Sequence, residues 1–146
     1  MSVYIIGGGT PLPGRLSQAE SRMRTMIGVM AQKGANATRL QQTLLGDGRG
    51  RLMLAAKFDS FHEAMSIFEE VRKDPLFIEV SKQISENPAA SDSWAVVMRD
   101  FYGSLDFSKS VTLRRTYKIS RGHLPKMTEI IKAVSYTHLR AHETEA

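Results

Sequence analysis

Between Arg51 and Phe77 the period of the apolar positions changes from that of a strand to that of a helix. Leu52, Leu54, Ala56 and Phe58 alternate with Met53, Ala55 and Lys57, as on a pleated strand. Asp59 and Ser60 end the run. Ser60 followed by Glu63 has the spacing of a capping box, which satisfies two backbone donors at a helix start. Phe61, Ala64, Met65, Phe68 and Val71 then recur at steps that predict one buried helical stripe. Glu63, Glu69, Glu70, Arg72 and Lys73 are left for water. Asp74-Pro75 stops this helix, because the residue before proline is pushed out of the helical conformation. A second short helix follows, with Phe77, Val80 and Ile84 inward, ending near Asn87-Pro88. Burying one large apolar side chain is worth roughly 1.5–3 kcal/mol, so Phe58, Phe61 and Phe68 are expected to dominate local stability.

The same reading extends along the chain. Val3 to Ile6 predicts a first strand, and Gly7 to Gly14 reads as a turn-rich connection. That connection is no dinucleotide fingerprint: Leu12 stands where the third glycine is needed, and prolines sit where the helix should open. Leu16, Ala19, Met23, Met26, Ile27 and Met30 predict a helix, with Ser17 and Glu20 as a second capping box. Gly34 is placed to end it in the left-handed conformation. Thr38 to Leu45 predicts a second strand, with Leu40 and Leu44 on one side and Arg39, Gln41 and Thr43 on the other. Gly46 to Gly50 then supplies a hairpin rich in the glycines such turns require. Ser93 to Phe101 predicts a last strand, in which Trp94, Val96 and Met98 alternate with Ala95, Val97 and Arg99. The order β-α-β-β-α-β, with a broken second helix, is the ferredoxin-like α+β pattern: four antiparallel strands with the helices on one face. Apolar residues of both parities leave the other face greasy, so it is expected to pair with a second sheet.

Beyond residue 103 the pattern begins again. Val111 to Ile119 is strand-like, and Leu124, Met127, Ile130 and Ile131 open a helix. Gly122-His123-Leu124 matches Gly14-Arg15-Leu16 at an offset of 108 residues, about the length of one ferredoxin-like unit. This predicts a ferredoxin-like unit over 1–103, the first strand and partial helix of a truncated second unit over 104–133, and a non-native tail over 134–146. The tail reading rests on Val134 to Thr144, which resembles, residue for residue, the in-frame translation of a transposon-type sequencing adapter. As protein, His138 and His142 would stand four apart on a helix. Two such ligands without a third make no metal site.

Composition alters this picture little. No run of about 20 apolar residues spans a membrane, and no leader is visible. The absence of cysteine removes disulfide and thiolate chemistry and makes cytoplasmic residence the expectation. The net charge of +5 raises the question of nucleic acid. Residues 1–100 hold 12 Lys/Arg against 11 Asp/Glu, whereas 101–133 hold 7 against 2. The excess therefore lies in the incomplete second unit rather than as a stripe on a finished domain, which argues against a nucleic-acid partner.

The strand followed by Asp59-Ser60-Phe61, the amphipathic helix, Asp74-Pro75-Leu76-Phe77 and the Pro13-Gly14-Arg15-Leu16 helix start together resemble the dimeric α/β-barrel superfamily. That superfamily includes antibiotic-biosynthesis monooxygenase-like and NIPSNAP-like domains. The resemblance covers Val3 to Tyr102 and again Val111 to Ala133, and it is a pattern of strands and caps rather than a catalytic motif. Members range from cofactor-free oxygenases and haem-degrading enzymes to small-molecule binders. The resemblance implies a domain that pairs through its sheet, with a second copy or a second repeat, and binds an apolar small molecule. The alternative is a cofactor-independent monooxygenase-like or isomerase-like enzyme acting on an apolar or aromatic substrate.

Candidate residues follow from chemistry. His62, in the first turn of a helix, is the weak catalytic candidate, since the helix dipole there favours neutral imidazole. Trp94, the single tryptophan, is the other, as a stacking surface. Tyr4, Arg15, Phe58, Phe68 and Trp94 are the candidate ligand-binding set, Arg15 as an anion contact near a helix start. The haem-degrading pattern of a helix histidine facing asparagine and tryptophan is not matched, because His62 stands at the helix start and Val3 to Ile6 holds no asparagine. No cofactor is expected.

Overall fold

The computed structural model describes residues 2–100, 103, 105–112, 114 and 116–143. The chain divides into two compact units, 1–101 and 102–146. The first contains β1 (Val3–Pro11), α1 (Leu16–Gln32), β2 (Ala37–Gln42), β3 (Leu52–Phe58), α2 (Phe61–Lys73), α3 (Pro75–Glu86) and β4 (Ala90–Arg99). The four strands form one antiparallel sheet in the order β2-β3-β1-β4. This is the ferredoxin-like arrangement, with β1 and β3 central.

Register assigns the faces. Val3 stands opposite Phe58, Ile5 opposite Ala56 and Gly7 opposite Leu54. Val3, Ile5, Leu54, Ala56 and Phe58 form the buried core together with Val29 and Met30 of α1 and Ala64 and Val71 of α2. Phe58, Ala56, Ala64 and Val71 are sealed completely. α1 lies on β2 and β3, and α2 on β1 and β3.

The helix ends are set by local chemistry. The Ser60 hydroxyl accepts from the Glu63 amide at 3.1 Å, as the sequence predicts. The return arm goes one residue further back: Glu63 Oε2 accepts from the Asp59 amide at 2.7 Å. α1 starts otherwise than predicted. Its N-cap is Arg15, with no side-chain cap bond, so Ser17 and Glu20 do not form a capping box. The Leu12–Arg15 turn sets the start instead: the Arg15 amide donates to the Leu12 carbonyl at 2.9 Å, and Gly14 has φ +73°. Proline and then a positive-φ glycine at the two central positions suit a type II turn. At its other end α1 closes in a Schellman motif. The Ala35 amide donates to Met30 O at 3.0 Å and the Gly34 amide to Ala31 O at 3.2 Å, with Gly34 at φ +115°.

Asp74 joins three elements. It ends α2 and caps α3, its Oδ1 accepting from the Leu76 amide at 3.0 Å. Its Oδ2 stands 3.2 Å from Lys33 Nζ, just past α1. The bond from Lys33 holds the Asp74 carboxyl below its ordinary value of 3.8. A depressed folded-state value stabilises the fold above pH 3.8, and this contribution is lost as the pH falls through the folded value. Acid titration of Asp74→Asn against the unsubstituted chain is expected to show that the variant lacks this part of the acid-induced loss of stability.

Three sequence expectations need revision. Gly7 to Pro11 is strand rather than connection, because Gly7 and Gly8 pair with β3 on one side and β4 on the other. β2 ends at Gln42 instead of Leu45, leaving Leu44 and Leu45 exposed in the hairpin. Phe61 lies 60% exposed and does not join the core stripe of α2.

In the second unit α4 spans Leu124–Glu143. The described residues from 105 to 119 carry no helix or strand, although Val111 to Ile119 has strand character. A lone strand without a neighbour has no ladder to join.

Candidate functional site

The face of the sheet away from the helix-packed core is built row by row from the register. Trp94, Gly8, Met53 and Gln41 form one row across the four strands. Val96, Ile6, Ala55 and Arg39 form the next, and Met98, Tyr4, Lys57 and Ala37 the third. The side over β4 and β1 is thus apolar, and the cations lie toward β2. Val96 and Met98 are 43% and 52% exposed.

Gly8 leaves a side-chain-free spot in the first row. A Cβ there would lie 3.2 Å from Trp94 Cζ2 and 3.3 Å from Met53 Cγ. The indole and the thioether therefore close in over the bare backbone. The indole Nε1 is buried and has no hydrogen-bond partner among the described residues. In the third row Tyr4 is buried, and its hydroxyl donates to Asp100 Oδ2 at 2.9 Å.

The remaining candidates lie elsewhere. Phe58 and Phe68 belong to the helix side, where Phe68 meets Phe77 edge-on with centroids 6.4 Å apart at 83°. The sheet therefore separates Phe58 and Phe68 from Trp94, and one pocket cannot be lined by all three. His62 is exposed in the first turn of α2. It too lies across the sheet from Trp94, so the two catalytic candidates are not brought together.

Arg15 bonds the Asn87 amide oxygen and, at 3.0 Å, the Pro88 carbonyl. Arg22, almost fully buried, donates to the Asn87 carbonyl at 2.7 Å. These two guanidinium groups clamp the connection from α3 to β4, where carbonyls at a helix C-terminus favour cations. Sequence reading singled out Arg15 but missed Arg22, whose seven-residue spacing from Arg15 places both on one side of α1. No cluster of three or more His, Asp or Glu that could hold a metal occurs among the described residues. None of their helices is long and apolar enough to cross a membrane.

No protein-family model matches the sequence, and comparison with curated proteins gives no match. Solved structures do match. The Mycobacterium tuberculosis protein Rv0793 is 19% identical with a TM-score of 0.55, the match covering 72% of this chain and all of that one. The likeness shows the ferredoxin-like fold. SnoaB, a cofactor-independent oxygenase from Streptomyces nogalater, is 16% identical with a TM-score of 0.53, covering 70% of this chain and 95% of its own. A NIPSNAP domain protein from Burkholderia xenovorans is 13% identical with a TM-score of 0.54, covering 71% and 99%. In this ferredoxin-like fold the helix layer occupies one face of the sheet, and the rows around Trp94 form the other.

Proposed function

We propose that this chain is a small-ligand-binding α/β-barrel domain that pairs through the free face of its sheet. The supporting observation is the continuous apolar surface of Ile6, Met53, Ala55, Trp94, Val96 and Met98 on that face, with Val96 and Met98 still exposed. A sheet packed on both sides removes this surface from water, at about 25 cal/mol per Å² buried. The mate is a second copy of the chain or a second unit within it.

The ligand class that suits the face is apolar and planar, because Trp94 offers an indole ring among apolar neighbours in the same rows. The same feature favours the second reading, a cofactor-independent monooxygenase-like or isomerase-like enzyme for an aromatic substrate. The likeness to SnoaB supports the fold such an enzyme would use.

Light scattering on the intact chain is expected to give twice the mass of one 16.3 kDa protomer, and Val96→Asp is expected to return it to one. A single-protomer mass for the unsubstituted chain removes pairing between copies. Since Trp94 is the single tryptophan, its emission reports ligand directly. Titration with an apolar aromatic probe should shift it, and an unmoved spectrum at saturation removes the ligand reading.

A further inference from the structure

The second unit holds a cleft of its own. The chain reverses at Ser120 to His123, where Gly122 takes φ +87° and the His123 amide donates to the Ser120 carbonyl at 3.1 Å. The turn brings α4 back along the segment that leads into it. Tyr117 to Ser120 and the first two turns of α4 thereby enclose a cleft of about 370 Å³. Small-molecule sites span roughly 300–1,000 Å³.

From α4 the cleft is lined by His123, Lys126, Met127 and Ile130, whose spacings of three and four put them on one helical face. Met127 is half-buried there. Tyr117 and Ile119 complete the apolar part of the lining from the incoming segment, and both remain open to water, at 52% and 38%. The polar part is of one kind. Lys118 and Lys126 bring charge, and His123 and Ser120 bring hydrogen-bonding groups, while no Asp or Glu lines the cleft. In the first unit Lys33, Lys73 and Lys82 each stand against a carboxylate. Among the described residues Lys118 and Lys126 have no such partner. A cleft lined by one sign of charge concentrates the counter-ion of the other sign.

We infer that this cleft binds an organic acid: a small aromatic or aliphatic body carrying one carboxylate. The body suits Tyr117, Ile119, Met127 and Ile130, and the carboxylate answers the two unpaired ammonium groups, which give charge-assisted bonds stronger than neutral ones. The site shares no residue with the sheet face around Trp94 and stands apart from the function proposed for that face.

The test is calorimetric titration of the intact chain with 2-naphthoate, beside 2-naphthamide, which keeps the body without the charge, and acetate, which keeps the charge without the body. 2-Naphthoate is expected to bind, and both controls to bind at least about tenfold more weakly. Lys118→Gln and Lys126→Gln are each expected to weaken 2-naphthoate by about tenfold with an unaltered circular dichroism spectrum. Lys109→Gln, which removes a cation of the same unit that does not line the cleft, is expected to leave the affinity unchanged. No binding at about 1 mM ligand overturns the inference. So does equal affinity for either control, since the cleft would then read only charge or only surface. Affinity unmoved by Lys118→Gln and Lys126→Gln would place the ligand elsewhere, the sheet face included, and an equal loss in Lys109→Gln would reduce the effect to net charge; each outcome also overturns it.

Discussion

Phe58→Ala is expected to cost about 3–5 kcal/mol, the range for removing a large ring from a core that cannot collapse around the gap. Phe58 is fully buried at the end of β3, opposite Val3, in the cluster that also holds Ala64 and Val71 of α2. The substitution therefore withdraws contacts from the sheet and from the helix above it together. Against a total stability of about 5–15 kcal/mol for an ordinary domain, such a loss brings the first unit to the edge of unfolding. Phe61→Ala supplies the contrast. Its ring is 60% exposed, and surface truncations usually stay within about 0.5 kcal/mol. Urea denaturation followed by circular dichroism measures both. Equal costs for the two phenylalanines would contradict the face assignment of α2.

That pair also shows how far periodicity reaches. Phe61, Ala64, Met65, Phe68 and Val71 share one helical stripe, yet only Ala64 and Val71 are fully buried. Phe61 is the first residue of α2, and it lies outside the buried cluster. Spacing gives direction around the helix axis but not how far the covering layer extends. Strand ends fail for a related reason. The apolar Leu44 and Leu45 prolong the pattern of β2, but β3 begins pairing at Leu52 opposite Gln42, so nothing remains for them to pack on.

The largest misreading concerns Gly7 to Gly9. Three adjacent glycines look like a hinge because local preference disfavours them in a strand. The strand geometry of Gly7 and Gly8 is imposed from both sides by β3 and β4, and that of Gly9 by β3, a tertiary effect with no local signature. The helix start suffers the same bias. Ser17 and Glu20 have capping-box spacing, but the Pro13-Gly14 turn fixes where α1 begins, and capping chemistry matters only at that boundary.

The site was legible residue by residue and not as a constellation. Aromatic and charged side chains stand out in the sequence, but strand parity alone does not say which side faces the helices. Register supplies this: Phe58 shares a side with Val3, while Trp94 shares the opposite one with Gly8 and Met53. Arg22 carried no sequence signal of its own. Its burial follows from the Asn87 carbonyl that it reaches from two turns along α1.

Gly8→Ala brings register, packing and the candidate site into one measurement. In an open strand, alanine for glycine normally stabilises by about 0.4–1 kcal/mol through the unfolded chain. Here the new Cβ would lie 2.6 Å from the Leu52 carbonyl oxygen. That oxygen belongs to the backbone of a central strand, so relief requires β3 to move relative to β1 and to strain the ladder between them. Overpacking of this kind costs about 1–3 kcal/mol, which outweighs the entropic gain and sets the sign as destabilising. Gly28→Ala is the opposite case: a Cβ there meets nothing within 4 Å inside α1, and helix propensity favours alanine by about 0.5–1 kcal/mol. Thermal unfolding should therefore move in opposite directions for the two variants. The Cβ at Gly8 would also press on Trp94 Cζ2 at 3.2 Å, so the emission of this single tryptophan should change in Gly8→Ala and stay constant in Gly28→Ala. A stabilised Gly8→Ala with unaltered emission would mean that Gly8 does not hold the close approach of β1, β3 and the indole.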